Sequence, residues 1–423
     1  MVYEKRLVDE QLDAMLSVLP AIALEGAKAV GKTATATRRA HDVYALDDAI
    51  VRSLVEGDPR LVLRGKAPTF IDEWQLVAPT WDVVRRAVDA GATPGRFLLA
   101  GSAMPWPGAR THSGAGRIVR LMMRPMALPE RGVTTPAVSL ATLLEGGRPD
   151  VEGDCALTLR DYVEEIVASG FPGIRAADPA ARAYLLASYI DRIVDHDLSE
   201  AGVFVRRPTV LRAWLRAYAA ATATTASYPS LVDAATPGET DRPSRPTALA
   251  YRDALMRMWV LDPLPAWVPG LVGLKRLAQG PKHHLVDPAL AARVVGANSA
   301  SLLRGVSPDQ GAGGTALAGA LFESLAVQTV RVLSQALSAE VFHARTQGGE
   351  HEVDLIVQRE DLRVIAMEVK LSSIVRPGDV AHLNWLEAKM PGVVVDKVLL
   401  NTGPRAFRRP DGVAVVPLGL LGP

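Results

Sequence analysis

The stretch that most limits how this chain can fold is residues 26–33, Gly-Ala-Lys-Ala-Val-Gly-Lys-Thr. It fits the phosphate-binding pattern GxxxxGK[ST], and it stands between an apolar run at 21–24 and a segment of helix formers at 34–40, as that motif requires. Its two glycines allow the backbone bend that turns N–H groups toward a phosphate, at the start of a helix. We expect Lys32 to reach the β- and γ-phosphates of ATP and Thr33 to ligate Mg²⁺. The predicted nucleotide contacts are Gly26, Ala29, Gly31, Lys32, Thr33 and Ala34.

Two adjacent carboxylates follow the next strong strand signal. Residues 68–74 read Pro-Thr-Phe-Ile-Asp-Glu-Trp, so an apolar run closes on Asp72 and Glu73. In P-loop hydrolases the first carboxylate of such a pair holds Mg²⁺ through water, and the second polarises the attacking water. Asp-Glu pairs are also common at exposed turns, as short Gly/Lys turns are before helices. The loop and the pair together favour a nucleotide site over two chance turns.

Two further candidates follow the next apolar strand, residues 96–102. Ser102 stands where a γ-phosphate sensor would lie, with a capping or turn role as the alternative. Arg117 could approach the γ-phosphate from its own subunit or from a neighbour, or it could be a plain surface arginine. The alternation of strands and helices predicts a parallel sheet covered on both faces, with ligands at the carboxyl ends of the strands.

The composition limits the class of protein. A length of 423 residues predicts two or three domains. Lys and Arg number 47 against 46 Asp and Glu, so no overall basic excess indicates nucleic acid, although a local basic face is allowed. The one cysteine, Cys155, excludes an internal disulfide. We see no signal segment and no apolar run of membrane-spanning length, and we expect a cytoplasmic protein.

The middle of the chain, about residues 157–300, reads as helical. Leu211, Trp214, Leu215 and Tyr218 recur at helical spacing, which predicts one buried helix face. Residues 230–235 and 247–258 could form a helix-turn-helix, with a wing beginning at 259–265. Arginines 242, 245, 252 and 257 lie near its second helix, where they would contact DNA or, as the alternative, only solvent. His283 and His284 lack further metal-ligand spacing, so we interpret them as structural.

The last part of the chain combines acidic residues with one lysine. After a Gly-rich linker at 307–314, a long helix carries Glu323, and two strands, 352–357 and 364–370, carry Asp354, Glu368 and Lys370. Glu368 and Lys370 share one face of their strand, and Asp354 joins them if the strands pair as a hairpin. Asp354 and Glu368 could then bind Mg²⁺, Lys370 could orient the water that attacks a phosphodiester, and Glu323 is a fourth candidate. Glu-x-Lys also occurs on exposed strands, but this strand is otherwise apolar, and buried charges need partners.

Taken together, these motifs resemble bacterial and archaeal AAA-type ATPases that carry a C-terminal domain of unknown function. Residues 26–33, 70–73, 101–102 and 116–117 match the ATPase part, and residues 169–172, 280–282, Asp287, 322–323, 352–354 and 368–370 match the later domain. The resemblance implies an AAA-like core, a winged-helix middle and a restriction-endonuclease-like end of the PD-(D/E)xK type. The sequence departs from that pattern at Val353, where the nuclease signature has proline, and in a Pro-rich turn at 236–246.

We therefore predict an α/β protein: a P-loop, AAA-like parallel sheet at 1–135, a helical winged-helix region at 150–305 and a nuclease-like α/β domain at 312–423. The expected function is Mg²⁺-dependent ATP binding and hydrolysis, coupled to DNA binding or processing. The alternatives are a slow ATPase switch that scaffolds a protein partner without nuclease activity, and a toxin-antitoxin or phage-defence component. DNA is the expected partner, a homo-oligomer is left open, and no membrane partner is expected.

Overall fold

The computed structural model describes residues 3–101, 114–200, 202–203, 205, 207–235, 244–269, 280–306 and 312–423. Contacts divide the chain into two compact units. The first unit comprises Met1–Pro125, Asp195–Val205 and Ala250–Val260, and the second comprises Met126–Val194, Arg206–Leu249 and Leu261–Pro423. Most of the predicted middle and C-terminal domains lies in the second unit.

The helices and strands up to residue 122 alternate along the chain. They are α1 Leu7–Leu16, β1 Ala21–Glu25, α2 Lys32–Thr37, β2 Asp42–Ala45, α3 Ala49–Gly57, β3 Thr69–Asp72, α4 Pro79–Asp89, β4 Phe97–Gly101 and β5 Val119–Met122. The five strands form one sheet in the order β2-β3-β4-β1-β5, and every pair in it is parallel. The parallel sheet expected for the N-terminal domain is confirmed.

The central strands of this sheet are buried on both faces. Residues 21–24 and 97–100 are at most 1% exposed, as expected for continuous apolar runs between layers of helices. The aromatic residues Trp74, Trp81 and Phe97 join the same core. The strand order places the carboxyl ends of β1 and β3 at one edge, with β4 between them, and that edge is where a ligand of such a sheet binds.

The elements that follow begin with short strands and helices. They are β6 Val138–Ser139, α5 Leu140–Glu145, β7 Gly153–Asp154, α6 Leu159–Ala168, α7 Pro172–Arg175, α8 Pro179–Arg192, α9 Leu198–Glu200, α10 Pro208–Ala220, α11 Tyr228–Ala235, α12 Arg245–Arg257, α13 Pro288–Val295 and α14 Ser299–Gly305. The last part contains α15 Ala312–Ala336, β8 Glu340–Arg345, β9 Glu352–Gln358, β10 Val364–Val369, α16 Ala381–Lys389, β11 Val394–Asn401, β12 Arg405–Arg408, β13 Ala414–Pro417 and β14 Leu421–Gly422.

A seven-stranded mixed sheet organises the second unit, in the order β7-β12-β13-β11-β10-β9-β8. Strands β8, β9 and β10 form an antiparallel meander, and β11 then runs parallel to β10. Two early strands complete the pairing, because β7 pairs with β12 and β6 pairs with β14. Residues from the middle of the chain are therefore part of the C-terminal sheets.

The helical middle region contains the predicted apolar stripe. Leu211, Trp214, Leu215 and Tyr218 on α10 are at most 1% exposed, so the stripe is core. Helices α11 and α12 lie at the predicted helix-turn-helix, while the intervening residues 236–243, Arg242 among them, lie outside the described residues. Two antiparallel bridges, Leu261–Leu285 and Leu264–Lys282, follow α12. The winged helix stays a prediction.

One described helix corrects the expectation that no run reaches the length of a membrane span. Residues Thr315–Ala336 of α15 form 22 helical residues with a mean hydropathy of 1.4 in the most apolar window. Of that window, 61% is buried inside the protein. Phe322, Leu325 and Ala326 are fully buried, so this helix owes its apolar character to a place in the core.

Candidate functional site

The loop after β1 has the backbone that its glycines predict. Gly26 has φ 150°, and a Cβ there would lie 2.1 Å from the carbonyl oxygen of Met123. Gly31 has φ 105° and is the residue before the first turn of α2. Ala29 also lies in the left-handed region, with φ 66°, and Ala34 is exposed in the first turn of α2. Glycine is therefore required at position 26 by both space and backbone conformation.

Lys32 turns its ammonium group back into this loop. Its Nζ donates to the carbonyl oxygens of Gly26 and Ala27 at 2.8 and 2.9 Å, and the residue is 5% exposed. Burial lowers the pKa of Lys32 to about 8, although Glu73 and Asp72 act in the opposite direction. Two neutral carbonyls compensate a buried positive charge incompletely, so the loop favours an anion at this point.

The predicted metal residues meet at the ends of the loop and of β3. The Thr33 hydroxyl donates to Asp72 Oδ2 at 2.8 Å, and Asp72 is the last residue of β3. Burial raises the pKa of Asp72, which is 6% exposed, while its hydrogen bond with Thr33 lowers it. A hydroxyl and a carboxylate oxygen are both ligands that Mg²⁺ accepts, with phosphate oxygens and waters as the remaining ligands.

Glu73 follows Asp72 in a backbone conformation that is unusual for a side chain with Cβ. Its φ and ψ are 49° and 43°, and its N–H donates to Asp72 Oδ1 at 3.1 Å. The side-chain amide of Gln75 donates to the Glu73 carboxylate. Such left-handed residues cluster at functional sites, and this one directs the predicted base from the carboxyl end of β3.

Asp197 is a neighbour of this loop that the sequence analysis missed. Lys28 Nζ donates to its Oδ1 at 2.8 Å, across 169 residues of sequence, and Asp197 is 4% exposed. No spacing rule connects two residues so far apart. The contact joins a second lysine of the phosphate loop to a later segment of the first unit.

The two predicted γ-phosphate contacts do not join this group. Ser102 lies outside the described residues. Arg117 precedes β5, and its Nε forms an ion pair of 2.9 Å with Asp89, the last residue of α4. Strand β5 begins beside the amino end of β1, where Val119 pairs with Ile22, whereas the phosphate loop follows the carboxyl end. Within one chain, Arg117 is thus at the wrong edge of the sheet for a γ-phosphate contact.

The four C-terminal candidates do come together. Strands β9 and β10 pair as the expected hairpin, Lys370 Nζ donates to Glu368 Oε2 at 2.8 Å, and Asp354 Oδ2 accepts from the N–H of Val369 at 3.0 Å. Glu323, Asp354 and Lys370 line one cavity of about 540 Å³. Glu368 is 2% exposed, and its Oε1 has no hydrogen-bond partner among the described residues.

Lys282 is the member of this cluster that sequence reasoning did not assign. Its Nζ lies 2.8 Å from Glu323 Oε1, 2.8 Å from Glu352 Oε1 and 2.9 Å from Asp354 Oδ1. The residue is 1% exposed, and backbone hydrogen bonds with Leu264 in both directions fix its position. Its place in the segment 280–282 was noted for resemblance alone, because nothing in the spacing indicates which carboxylates it meets.

The groups around Lys282 differ in the direction in which their pKa values are shifted. The three carboxylates hold the pKa of Lys282 well above its usual value despite burial. Burial raises the pKa of Glu323 to about 8. Asp354 is equally buried, yet Lys282 and Lys370 lower its pKa to about 2. Asp354 is therefore the anionic centre of the cluster, and Lys282 is its main counter-charge.

The carboxylates consequently have a different partner from the expected Mg²⁺. In the part of the chain that the structure describes, no group of three His, Cys, Asp or Glu side chains has the arrangement to hold a metal ion. Glu323, Glu352 and Asp354 converge on an ammonium group instead. The residues present do not fit a divalent ion at this site. His283 Nε2 and His284 Nδ1 form hydrogen bonds with the Ala226 carbonyl oxygen and the Ser324 hydroxyl.

Comparison with known proteins finds three family models along the chain. Residues 19–131 match the family model described as AAA domain, residues 159–301 match a domain of unknown function (DUF8612), and residues 318–421 match a domain of unknown function (DUF4143). Together with the loop geometry, the first match supports an AAA-like P-loop domain at residues 19–131. The chain thus combines such a domain with a C-terminal domain of unknown function, as the resemblance implied.

Individual relatives are distant. Uncharacterized protein Mb2031c of Mycobacterium bovis and uncharacterized protein Rv2008c of Mycobacterium tuberculosis are each 27% identical over 303 residues. The match covers 70% of this chain but only 60% of the length of those relatives. The Walker-type ATPase paby2304 of Pyrococcus abyssi is 15% identical with a TM-score of 0.41, over 69% of this chain and 96% of that chain.

Proposed function

We propose that this protein hydrolyses Mg²⁺-ATP at the phosphate loop and that its nucleotide state controls how the C-terminal domain engages DNA. The observation that carries the first half is the hydrogen bond between Thr33 and Asp72. It joins the end of the loop to the end of β3, where a nucleotide-bound metal ion needs one ligand from each.

Lys32 would provide the main charge for the phosphates. Its ammonium group lies in the loop against two neutral carbonyl oxygens, which phosphate oxygens would replace as partners. Mg²⁺, held by the Thr33 hydroxyl and by Asp72, would neutralise the β- and γ-phosphate oxygens. The gain in electrostatic energy is large because the ammonium group is already desolvated.

Glu73 would act as the general base. It accepts a proton from the water that attacks the γ-phosphorus, while the bond from that phosphorus to the β,γ-bridging oxygen breaks and ADP leaves with the electron pair. The left-handed backbone of Glu73 supports this role, since residues in that conformation cluster at functional sites.

The connectivity of the C-terminal elements supports the link to DNA. Helix α15 is followed by the meander β8-β9-β10, by α16 and by β11 parallel to β10, which is the order expected of a restriction-endonuclease-like fold. Helices α11 and α12 lie where a helix-turn-helix is predicted. Both features favour nucleic acid as a partner of this protein.

One observation favours the competing function, an ATPase switch that scaffolds a partner without cutting DNA. Lys282 occupies the carboxylates that a metal-dependent nuclease would use for its ion. In this second candidate the nucleotide site is unchanged, and the C-terminal domain binds without chemistry.

Phosphate release from Mg²⁺-ATP, measured with and without single- and double-stranded DNA, tests the main proposal. We expect Lys32→Ala to abolish ATP binding and turnover, and Glu73→Gln to abolish turnover while leaving binding intact. Exposed residues provide matched controls, Lys66→Ala and Glu56→Gln, which should behave as the wild type.

The outcomes separate the two halves of the proposal. Normal turnover in either site variant would refute the assignment of the nucleotide site. Stimulation of the wild type by DNA would support the coupling, whereas turnover that ignores both forms of DNA would favour the scaffold.

A further inference from the structure

We infer that the ammonium group of Lys282 is the built-in cation of the C-terminal carboxylate cluster, in the place that a divalent metal ion would otherwise take. The inference deepens the proposed function, on which it rests for the assignment of this cavity to the C-terminal activity. The cluster of Glu323, Glu352, Asp354 and Glu368 therefore holds no metal ion in the functional protein.

The contacts of Lys282 match those of a shared cation. Three carboxylates from two elements meet at one Nζ: Glu323 from α15, and Glu352 and Asp354 from β9. All three N–O distances lie between 2.8 and 2.9 Å, the length of strong charge-assisted hydrogen bonds. An ammonium group has three protons to donate, so each N–H of Lys282 Nζ has a carboxylate acceptor.

Every carboxylate of the cluster has a cationic side chain as a partner. Four carboxylates face Lys282, Lys370 and Arg345, since Lys370 pairs with Glu368 and Arg345 Nη1 lies 3.4 Å from Glu352. Removal of Lys282 would leave four carboxylates facing two cations, Lys370 and Arg345. Buried carboxylates without a counter-charge are costly, and a divalent ion is the partner that oxygen ligands of this kind accept.

One carboxylate oxygen of the cluster, Glu368 Oε1, is available as a metal ligand. Glu368 is 2% exposed, and its Oε1 has no hydrogen-bond partner within the described residues. Once the lysine is removed, this oxygen is available to an ion that Glu323 and Asp354 also ligate. The native protein should therefore bind no ion here, and a variant without the lysine should gain a site.

Binding of Mn²⁺ to the full, nucleotide-free chain measures this directly, by electron paramagnetic resonance of the free ion. Asp72→Asn is present in every variant, so that the phosphate loop contributes no ion. We expect no Mn²⁺ site in the Lys282 protein and one site per chain in Lys282→Gln. The affinity of Lys282→Gln for Mn²⁺ should be at least tenfold higher than that of the Lys282 protein. The site should disappear again when Asp354→Asn is added. Lys397 provides a matched control, because it is buried at 2% and ion-paired to Glu387, and Lys397→Gln should gain nothing.

Thermal unfolding keeps the test decisive if the variant folds poorly. Mn²⁺ should raise the Tm of Lys282→Gln and leave that of the Lys282 protein and of Lys397→Gln unchanged. One Mn²⁺ site in the Lys282 protein that Asp354→Asn removes would overturn the inference, and so would a Lys282→Gln variant that neither binds Mn²⁺ nor gains stability from it. ATP turnover of the Asp72 protein is measured separately and reports only on the proposed function.

Discussion

Two buried lysines, Lys32 in the phosphate loop and Lys282 in the C-terminal cluster, have opposite surroundings. Lys32 is 5% exposed and donates to two backbone carbonyls, whereas Lys282 is 1% exposed and contacts three carboxylates. The pKa of Lys32 falls to about 8 because burial dominates. The pKa of Lys282 rises well above its usual value because its carboxylate partners outweigh burial.

The two ammonium groups therefore differ in their acceptors: Lys32 contacts neutral carbonyl oxygens, whereas Lys282 contacts carboxylates. A desolvated ammonium group beside neutral dipoles gains free energy when an anion arrives, so Lys32 marks a ligand site. The ammonium group of Lys282 would lose three ion pairs to any ligand, so it marks a completed internal structure. Burial of a lysine alone does not distinguish the two cases, and the identity of the acceptor atoms does.

The largest expected effect on stability is that of Lys282→Met. The substitution leaves the buried Asp354 and the partly buried Glu323 and Glu352 without their shared counter-charge, so we expect a loss of about 3–5 kcal/mol in the free energy of unfolding. Urea denaturation followed by circular dichroism measures it. A loss below about 1 kcal/mol would mean that Glu323, Glu352 and Asp354 do not depend on the lysine, and it would erase the contrast with Lys32.

Lys32→Met should have the reverse profile. Because only two neutral hydrogen bonds and a poorly compensated charge are removed, we expect the free energy of unfolding to stay within about 1 kcal/mol of the wild type. Nucleotide affinity should fall at least about thirtyfold, as for the loss of one member of a buried charge pair. Denaturation and equilibrium titration with a fluorescent ATP analogue measure the two effects. A large loss of stability with intact binding would contradict the ligand-site interpretation.

The pH dependence of nucleotide affinity sharpens the comparison further. Free Lys32 loses its proton near pH 8, and bound phosphates keep it protonated, so binding takes up a proton above that pH. Affinity should be flat below pH 8 and should weaken about tenfold for each unit between pH 8 and 10. Lys32→Arg provides the control, because a guanidinium group does not titrate in this range. An equal pH profile in both proteins would show that Lys32 is not the titrating group.

The smallest effect is expected for Arg117→Ala. Its ion pair with Asp89 is exposed, and it lies at the edge of the sheet away from the phosphate loop. Turnover by dilute protein should therefore stay within about twofold of the wild type, because exposed ion pairs contribute little. A deficit that appears only as the protein concentration rises would place this arginine in the site of a neighbouring chain.

The arrangement of the phosphate loop and the end of β3 could be predicted because its parts depend on local sequence. The loop at 26–33 is one continuous segment, and the end of β3 must lie at the same edge as the end of β1 in a parallel sheet. The sequence did not show that a strand begins at Val119, which puts Arg117 before a strand and not after one. A contact of Arg117 with the site of a neighbouring chain stays a prediction.

The C-terminal cluster was predictable only where strand pairing dictates it. The hairpin of β9 and β10 brings Asp354 to Glu368, since residues on one strand face have a fixed spacing. Lys282 enters from 41 residues before Glu323 and 72 before Asp354, through tertiary packing that no periodicity describes. The sequence analysis also did not recognise that the apolar part of α15 is as long as a membrane span. Composition alone does not distinguish such a core helix from a membrane-spanning one.

The pairing of β7 with β12 has a consequence for the order in which the protein is made. Asp154 contacts Arg405 across 251 residues of sequence, and at about 5–20 residues per second the ribosome needs roughly 10–50 s to synthesise that interval. During this time β7 has left the ribosome without its partner strand. The C-terminal sheet therefore closes only after residue 405 has been synthesised, and a nascent chain stalled before that point exposes an unpaired strand edge that chaperones would need to protect.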